Sequence, residues 1–85
     1  MTAAPMLSES QLHRRCRRGV RELDVLFTRF VKEHYQGLSV ETQATFQDLL
    51  EVQDPVIMDW LFGKYEPEDL RMKDLISFLK EISGL

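Results

Sequence analysis

The chain has 85 residues, is 44% hydrophobic and 29% charged, and carries a net charge of −3. It lies above the roughly 40 residues below which small folds lean on disulfides or metals, and its composition is that of one globular domain rather than a disordered segment. The single cysteine, Cys16, excludes an internal disulfide and suits a reducing compartment; no apolar run approaches the ~20 residues of a membrane span.

Met1 to Leu7 has no charged segment ahead of an apolar one, so no secretory signal is expected and a bacterial cytoplasm fits. The charge is unevenly spread. Residues 1–32 hold seven Lys/Arg against three Asp/Glu, a sum of +4, and residues 33–85 hold four against eleven, a sum of −7. Such a dipole orients a small domain on a partner during encounter.

Apolar residues recur at three- and four-residue spacing with no sustained alternation, which predicts five helices and no strand. Residues 1–7 are expected to form a flexible tail, and residues 8–85 a single all-α domain, a compact bundle of short helices. Ser8 followed by Gln11 forms a capping box, with Leu7 and Leu12 placed as a hydrophobic staple. This predicts a first helix over 9–17, whose apolar content is only Leu12 and Cys16. Gly19 is expected to take the positive φ that ends it.

The second helix is predicted over 20–35, with Leu23, Phe27, Phe30, Val31 and His34 on one face and Val20 and Leu26 beside them. Gly37 is expected to close it. Ser39 reads as the N-cap of a third helix with Glu41 in its first turn; Phe46, Leu49, Leu50 and Gln53 continue its stripe. Asp54-Pro55 starts a fourth helix, with Asp as N-cap and Pro as the first helical residue. It presents Ile57, Trp60 and Leu61 and stops at Gly63. Glu66-Pro67 opens a fifth by the same logic, with Met72, Leu75, Ile76, Leu79 and Ile82 inward, Phe78 flanking, and Gly84 at its end. Short connections imply antiparallel neighbours. Trp60 is either a core anchor or the edge of a groove for a partner.

Little of this is equipment for catalysis. His13 and Cys16 share a helical face, but two ligands do not make a zinc site, and His34 has no cysteine near it. The arginines around Cys16 could favour its thiolate, yet a small helical chain offers little room for a deep pocket. Cys16 is expected to be a small buried residue and His13 a solvated one. The glycines at 19, 37, 63 and 84 are isolated, so no phosphate-binding loop is present. Arg14, Arg15, Arg17, Arg18 and Arg21 form a basic cluster. Nucleic acid binding needs such a cluster, but this helix offers only Gln11 beside arginine for reading bases. A small nucleic-acid-binding or regulatory protein is therefore the alternative, and a protein partner carrying carboxylates the leading reading. Arg18, Gly19 and Glu22 are its centre. Glu22 lies in a first helical turn, where the dipole favours a carboxylate. Arg18 could pair with it or reach a partner, and a surface pair would contribute only ~0–1 kcal/mol; the local chemistry leaves both open.

The run Arg17-Arg18-Gly19-Val20-Arg21-Glu22-Leu23-Asp24 resembles the R-R-G-x-x-E-L-D signature of the SdhE/YgfY family. Phe46 with Leu49-Leu50, Asp54-Pro55, and Asp59-Trp60-Leu61 followed by Gly63 agree with that pattern, and the resemblance spans residues 8–82. It implies a small five-helix assembly factor, a protein-binding chaperone and not an enzyme. Such a factor promotes covalent attachment of FAD to a histidine of the succinate dehydrogenase flavoprotein subunit, and in bacterial members serves fumarate reductase too. It implies a partner-binding surface of Arg17, Arg18, Gly19, Glu22, Asp24, Asp59 and Trp60. No catalytic, metal or tightly bound cofactor site is implied: the FAD belongs to the client, and neither nucleic acid nor membrane is a partner.

Overall fold

A computed structural model describes residues 7–84, in which five α-helices and one 3₁₀ turn form the protein. In chain order these are α1 (Glu9–Arg15), α2 (Arg21–Glu33), the turn Tyr35–Gly37, α3 (Val40–Leu49), α4 (Asp54–Leu61) and α5 (Leu70–Ser83). The tail assigned to residues 1–7 lies outside the described residues except for Leu7. That residue is half-buried, and its amide donates to Gln47 Oε1 at 3.2 Å.

The start signals act at α1 and α3. Ser8 and Gln11 form the reciprocal capping box, and the Ser39 hydroxyl accepts from the Thr42 amide. Two starts differ from their sequence cues, α4 beginning one residue earlier and α5 later. At α4 the N-cap is Gln53, not Asp54, and Asp54 and Pro55 open the helix itself. Gln53 is correspondingly exposed rather than part of the α3 stripe. At α5 the Glu66-Pro67 pair does not start the helix. The Asp69 carboxylate accepts from the amides of Arg71 and Met72 and so becomes the N-cap, while Glu66 pairs with Lys73 at 3.1 Å.

The ends differ as well. Helix α1 stops at Arg15 with Cys16 as its C-cap, and α2 stops at Glu33. The 3₁₀ turn after α2 turns the Tyr35 ring inward. Its carbonyl accepts from Gln43 Nε2 at 2.7 Å and its hydroxyl meets Gln47 Nε2 at 3.1 Å, interactions a continuous helix through Tyr35 would not place. Among the described residues, positive φ occurs at Gly63 and Gly84 alone, at the ends of α4 and α5. Gly19 and Gly37 do not adopt it.

The inner faces meet as expected. Phe27, Phe30 and Phe46 are fully buried, with ring centroids 5.6 Å apart for Phe27–Phe46 and 4.5 Å for Phe30–Phe46. Leu23, Leu49, Ile57 and Leu79 complete the centre, and Leu12 and Cys16 fasten α1 to it. Each such side chain contributes about 1.5–3 kcal/mol by burial. Helix α1 packs on α2, and α5 lies against α2, α3 and α4. No helix among the described residues is long and apolar enough to cross a membrane.

Candidate functional site

The joint between α1 and α2 is where the sequence signature lies, and its residues divide by direction. Arg18 points inward. Its Nε donates to Asp54 Oδ1 at 2.8 Å, Nη1 to the carbonyls of Leu50 at 2.8 Å and Arg15 at 3.2 Å, and Nη2 to the carbonyl of Val52 at 2.7 Å. The guanidinium also lies 5.7 Å from the centre of the Phe27 ring. Leu50 and Val52 follow the last turn of α3, where carbonyls lack helical partners and the dipole favours a cation. Asp54 sits in the first turn of α4, where an anion is favoured. One planar fork thus ties the α1–α2 joint to the α3–α4 corner. The pairing of Arg18 with Glu22 is not formed: four of the five N–H donors of Arg18 are engaged elsewhere within the chain.

Asp24 has a similar task. It is half-buried, and its Oδ2 accepts from the backbone amide of Arg18 at 3.3 Å, which bends the joint back onto the first turn of α2. A second clamp, the ion pair of Arg15 with Glu51, lies outside it.

The outer side is different. Arg17, Gly19, Arg21 and Glu22 are exposed. A Cβ added at Gly19 would meet nothing within 4 Å, and the residue has no left-handed φ. The expected conformational need for glycine is therefore absent. Nothing in the described chain requires position 19 to lack a side chain; only something approaching from outside could.

Beside this surface runs a groove of about 300 Å³ between α2, α4 and the end of α5. Glu22 lines it together with Arg21 and Arg29, above Leu26 and Leu61. Val25, also in its wall, is 57% exposed. Of the seven residues the sequence nominates, only Glu22 belongs to this groove. Asp59 and Trp60 are half-buried on α4 and do not line it. Trp60 packs against the core, and the Asp59 carbonyl closes the end of α4 by accepting from the Lys64 amide at 2.9 Å. Val25 and Met58 escaped the sequence reading. The available signal was Val25 itself, an apolar residue on the outer ridge of α2, one turn from both Arg21 and Arg29.

The remaining constellations do not assemble. Cys16 is fully buried and His13 exposed. Burial pushes the Cys16 thiol up to about 11, outweighing the opposing pull of Arg18, and Asp24 raises it further. The idea that neighbouring arginines favour its thiolate is thus reversed by desolvation. No group of three candidate metal ligands occurs among the described residues. The basic cluster is broken up by the fold, because Arg15 and Arg18 are held by Glu51 and Asp54.

Residues 10–83 match the Sdh5 family, described as the flavinator of succinate dehydrogenase. Among curated proteins, the chain is similar to the FAD assembly factor SdhE of Coxiella burnetii, with 35% identity covering 92% of this chain and 95% of the relative. The protein of the same name from Pseudomonas aeruginosa is 40% identical over 87% of this chain and 92% of its own. That of Idiomarina loihiensis is 42% identical over 75% and 71%.

Proposed function

The chain belongs to the family of flavinators of succinate dehydrogenase, and from that premise we propose that it docks on the flavoprotein subunit and promotes covalent attachment of FAD there. The cofactor and the modified histidine both belong to the client. The related flavoprotein of fumarate reductase is a second client, and the cytoplasm is the place of action. The observation that carries this reading is the glycine at position 19, exposed and unneeded by its own chain, next to the exposed carboxylate of Glu22.

The mechanism is one of positioning. Covalent attachment needs flavin and histidine in a near-attack arrangement, and holding them there removes many kcal/mol of barrier. A helper that binds only the competent arrangement of the client shifts its population toward that state. Glu22 and Arg17 supply charge-assisted hydrogen bonds to the client, and Gly19 lets a client segment lie against bare backbone. Arg18 and Asp24 act behind them by holding the joint in place. The buried, protonated Cys16 takes no part in this chemistry, since a thiol of this kind is a poor nucleophile at neutral pH.

The test is co-expression with a succinate dehydrogenase flavoprotein, followed by flavin fluorescence in a denaturing gel. The wild-type chain is expected to raise covalent flavin, and Gly19→Arg to abolish that rise while melting like wild type. Salt-dependent retention on DNA without flavoprotein binding would favour the basic-cluster alternative.

A further inference from the structure

We propose that the groove beside the α1–α2 joint receives an apolar side chain of the client flavoprotein, aliphatic or aromatic, with a carboxylate next to it that pairs with Arg21 or Arg29. This inference rests on the docking reading above and extends it from the joint to a neighbouring surface.

Three observations choose this occupant. The first is shape and chemistry. The groove has about 300 Å³ and an apolar floor of Leu26 and Leu61, which is the lower end of ligand-pocket sizes and suits one or two side chains. Met58 forms part of the wall, and its flexible thioether adapts to a guest.

The second is charge. Arg21, Val25 and Arg29 recur every four residues on α2, so they form one ridge with an exposed valine between two cations. Arg29 Nε donates to Glu33 at 3.2 Å, an exposed pair that leaves its terminal amino groups for an incoming acceptor. The groove lining holds two cations, Arg21 and Arg29, against the one carboxylate of Glu22, which favours a partner segment bearing carboxylates.

The third is continuity. Glu22 belongs both to the exposed joint and to the groove wall, and Gly19 precedes Arg21 by two positions. A client segment lying on the bare backbone at Gly19 is therefore within reach of Glu22 and the groove edge it forms. Apolar anchors in a pocket with a polar rim are the usual arrangement of binding hot spots.

The test measures the affinity of the full chain for the flavoprotein subunit. Val25→Asp puts a carboxylate where an apolar guest and its acidic neighbour would sit. It is expected to weaken binding about tenfold or more, with a melting temperature close to wild type because the site is exposed. Arg29→Glu is expected to weaken binding in the same direction. Val40→Asp, at an even more exposed valine of α3, is expected to bind like wild type. Should Val25→Asp melt far below wild type, Val25→Ala and Arg29→Glu carry the comparison.

Normal binding by both groove variants, with Gly19→Arg still inactive, overturns the groove assignment and leaves the docking reading intact. A wild-type chain that does not bind the flavoprotein overturns both. A concentration-dependent dimer abolished by Val25→Asp in sedimentation equilibrium would assign the groove to a second copy of this chain. Binding of free FAD lost in the same variant would assign it to the cofactor. Either result replaces the proposed guest.

Discussion

Replacing Arg18 by alanine tests the division of the joint into an inner clamp and an outer surface. The side chains of Arg18 and Asp54 are 11% and 18% exposed, so solvent screens their pair weakly. Breaking a buried pair from one side costs about 3–5 kcal/mol, and a single hydrogen bond to a charged group contributes about 1.5–3 kcal/mol. The variant also strips a donor from the carbonyls of Leu50 and Val52. Asp54 remains in the first turn of α4, where the dipole softens its isolation, and water can reach part of the vacated space. The lower end, about 3 kcal/mol, is therefore expected. In a domain of this size the whole stability is about 4–13 kcal/mol, and the loss lowers the melting temperature by roughly 12–24 °C. Circular dichroism melts with urea titrations measure it. Arg18→Lys, which keeps the charge but not the fork, should fall between. A change within about 2 °C, equivalent to less than ~0.5 kcal/mol, would refute the clamp. So would an Arg18→Lys protein of full stability that no longer binds flavoprotein, because the guanidinium would then be a contact.

The other substitutions separate folding from docking. Gly19→Arg should melt within a few degrees of wild type and fail to retain the flavoprotein in a pull-down, whereas normal retention by the folded variant would remove the joint from the interface. Glu22→Ala should weaken flavoprotein binding, by about 1–2 kcal/mol on the scale of interface truncations, with a near-unchanged urea midpoint; unfolding instead would give Glu22 a structural role. For Cys16 the unfolded thiol loses its proton near 9.0 and the folded one near about 11. The folded state thus holds the extra proton between these values, and stability should fall as pH rises from about 9 to about 11 while staying unaffected below. Cys16→Ala should flatten that alkaline decline, and the native thiol should resist aromatic disulfide reagents that the unfolded chain meets at once.

Local chemistry explains which features were legible. Ser8 with Gln11, Ser39, and the apolar stripes of α2 and α5 act over one or two turns, and the fold uses them as written. Helix α4 begins one residue before its cue, at Asp54, with no side-chain cap, and at α5 two cap candidates, Glu66 and Asp69, lie three residues apart. Asp69 reaches two free amides, so the later candidate takes the cap from Glu66. The internal contacts of Arg18 are illegible for a different reason. Its carboxylate partner lies 36 positions away, and spacing along one helix carries no information about a corner formed by two others. Cys16 is the small buried residue expected, but sequence shows only its neighbouring charges and not the depth that outweighs them. Gly19 could be singled out as special from sequence, but its lack of internal constraint required coordinates.

The fork of Arg18 has a practical consequence for inhibitors of docking. A synthetic hairpin excised from residues 9–33 would keep every outward group of the signature but lose Leu50, Val52 and Asp54, the anchors that orient them. Such a peptide should compete poorly with the intact protein, and grafting the signature onto an unrelated scaffold should transfer recognition only if the corner from 50 to 54 travels with it.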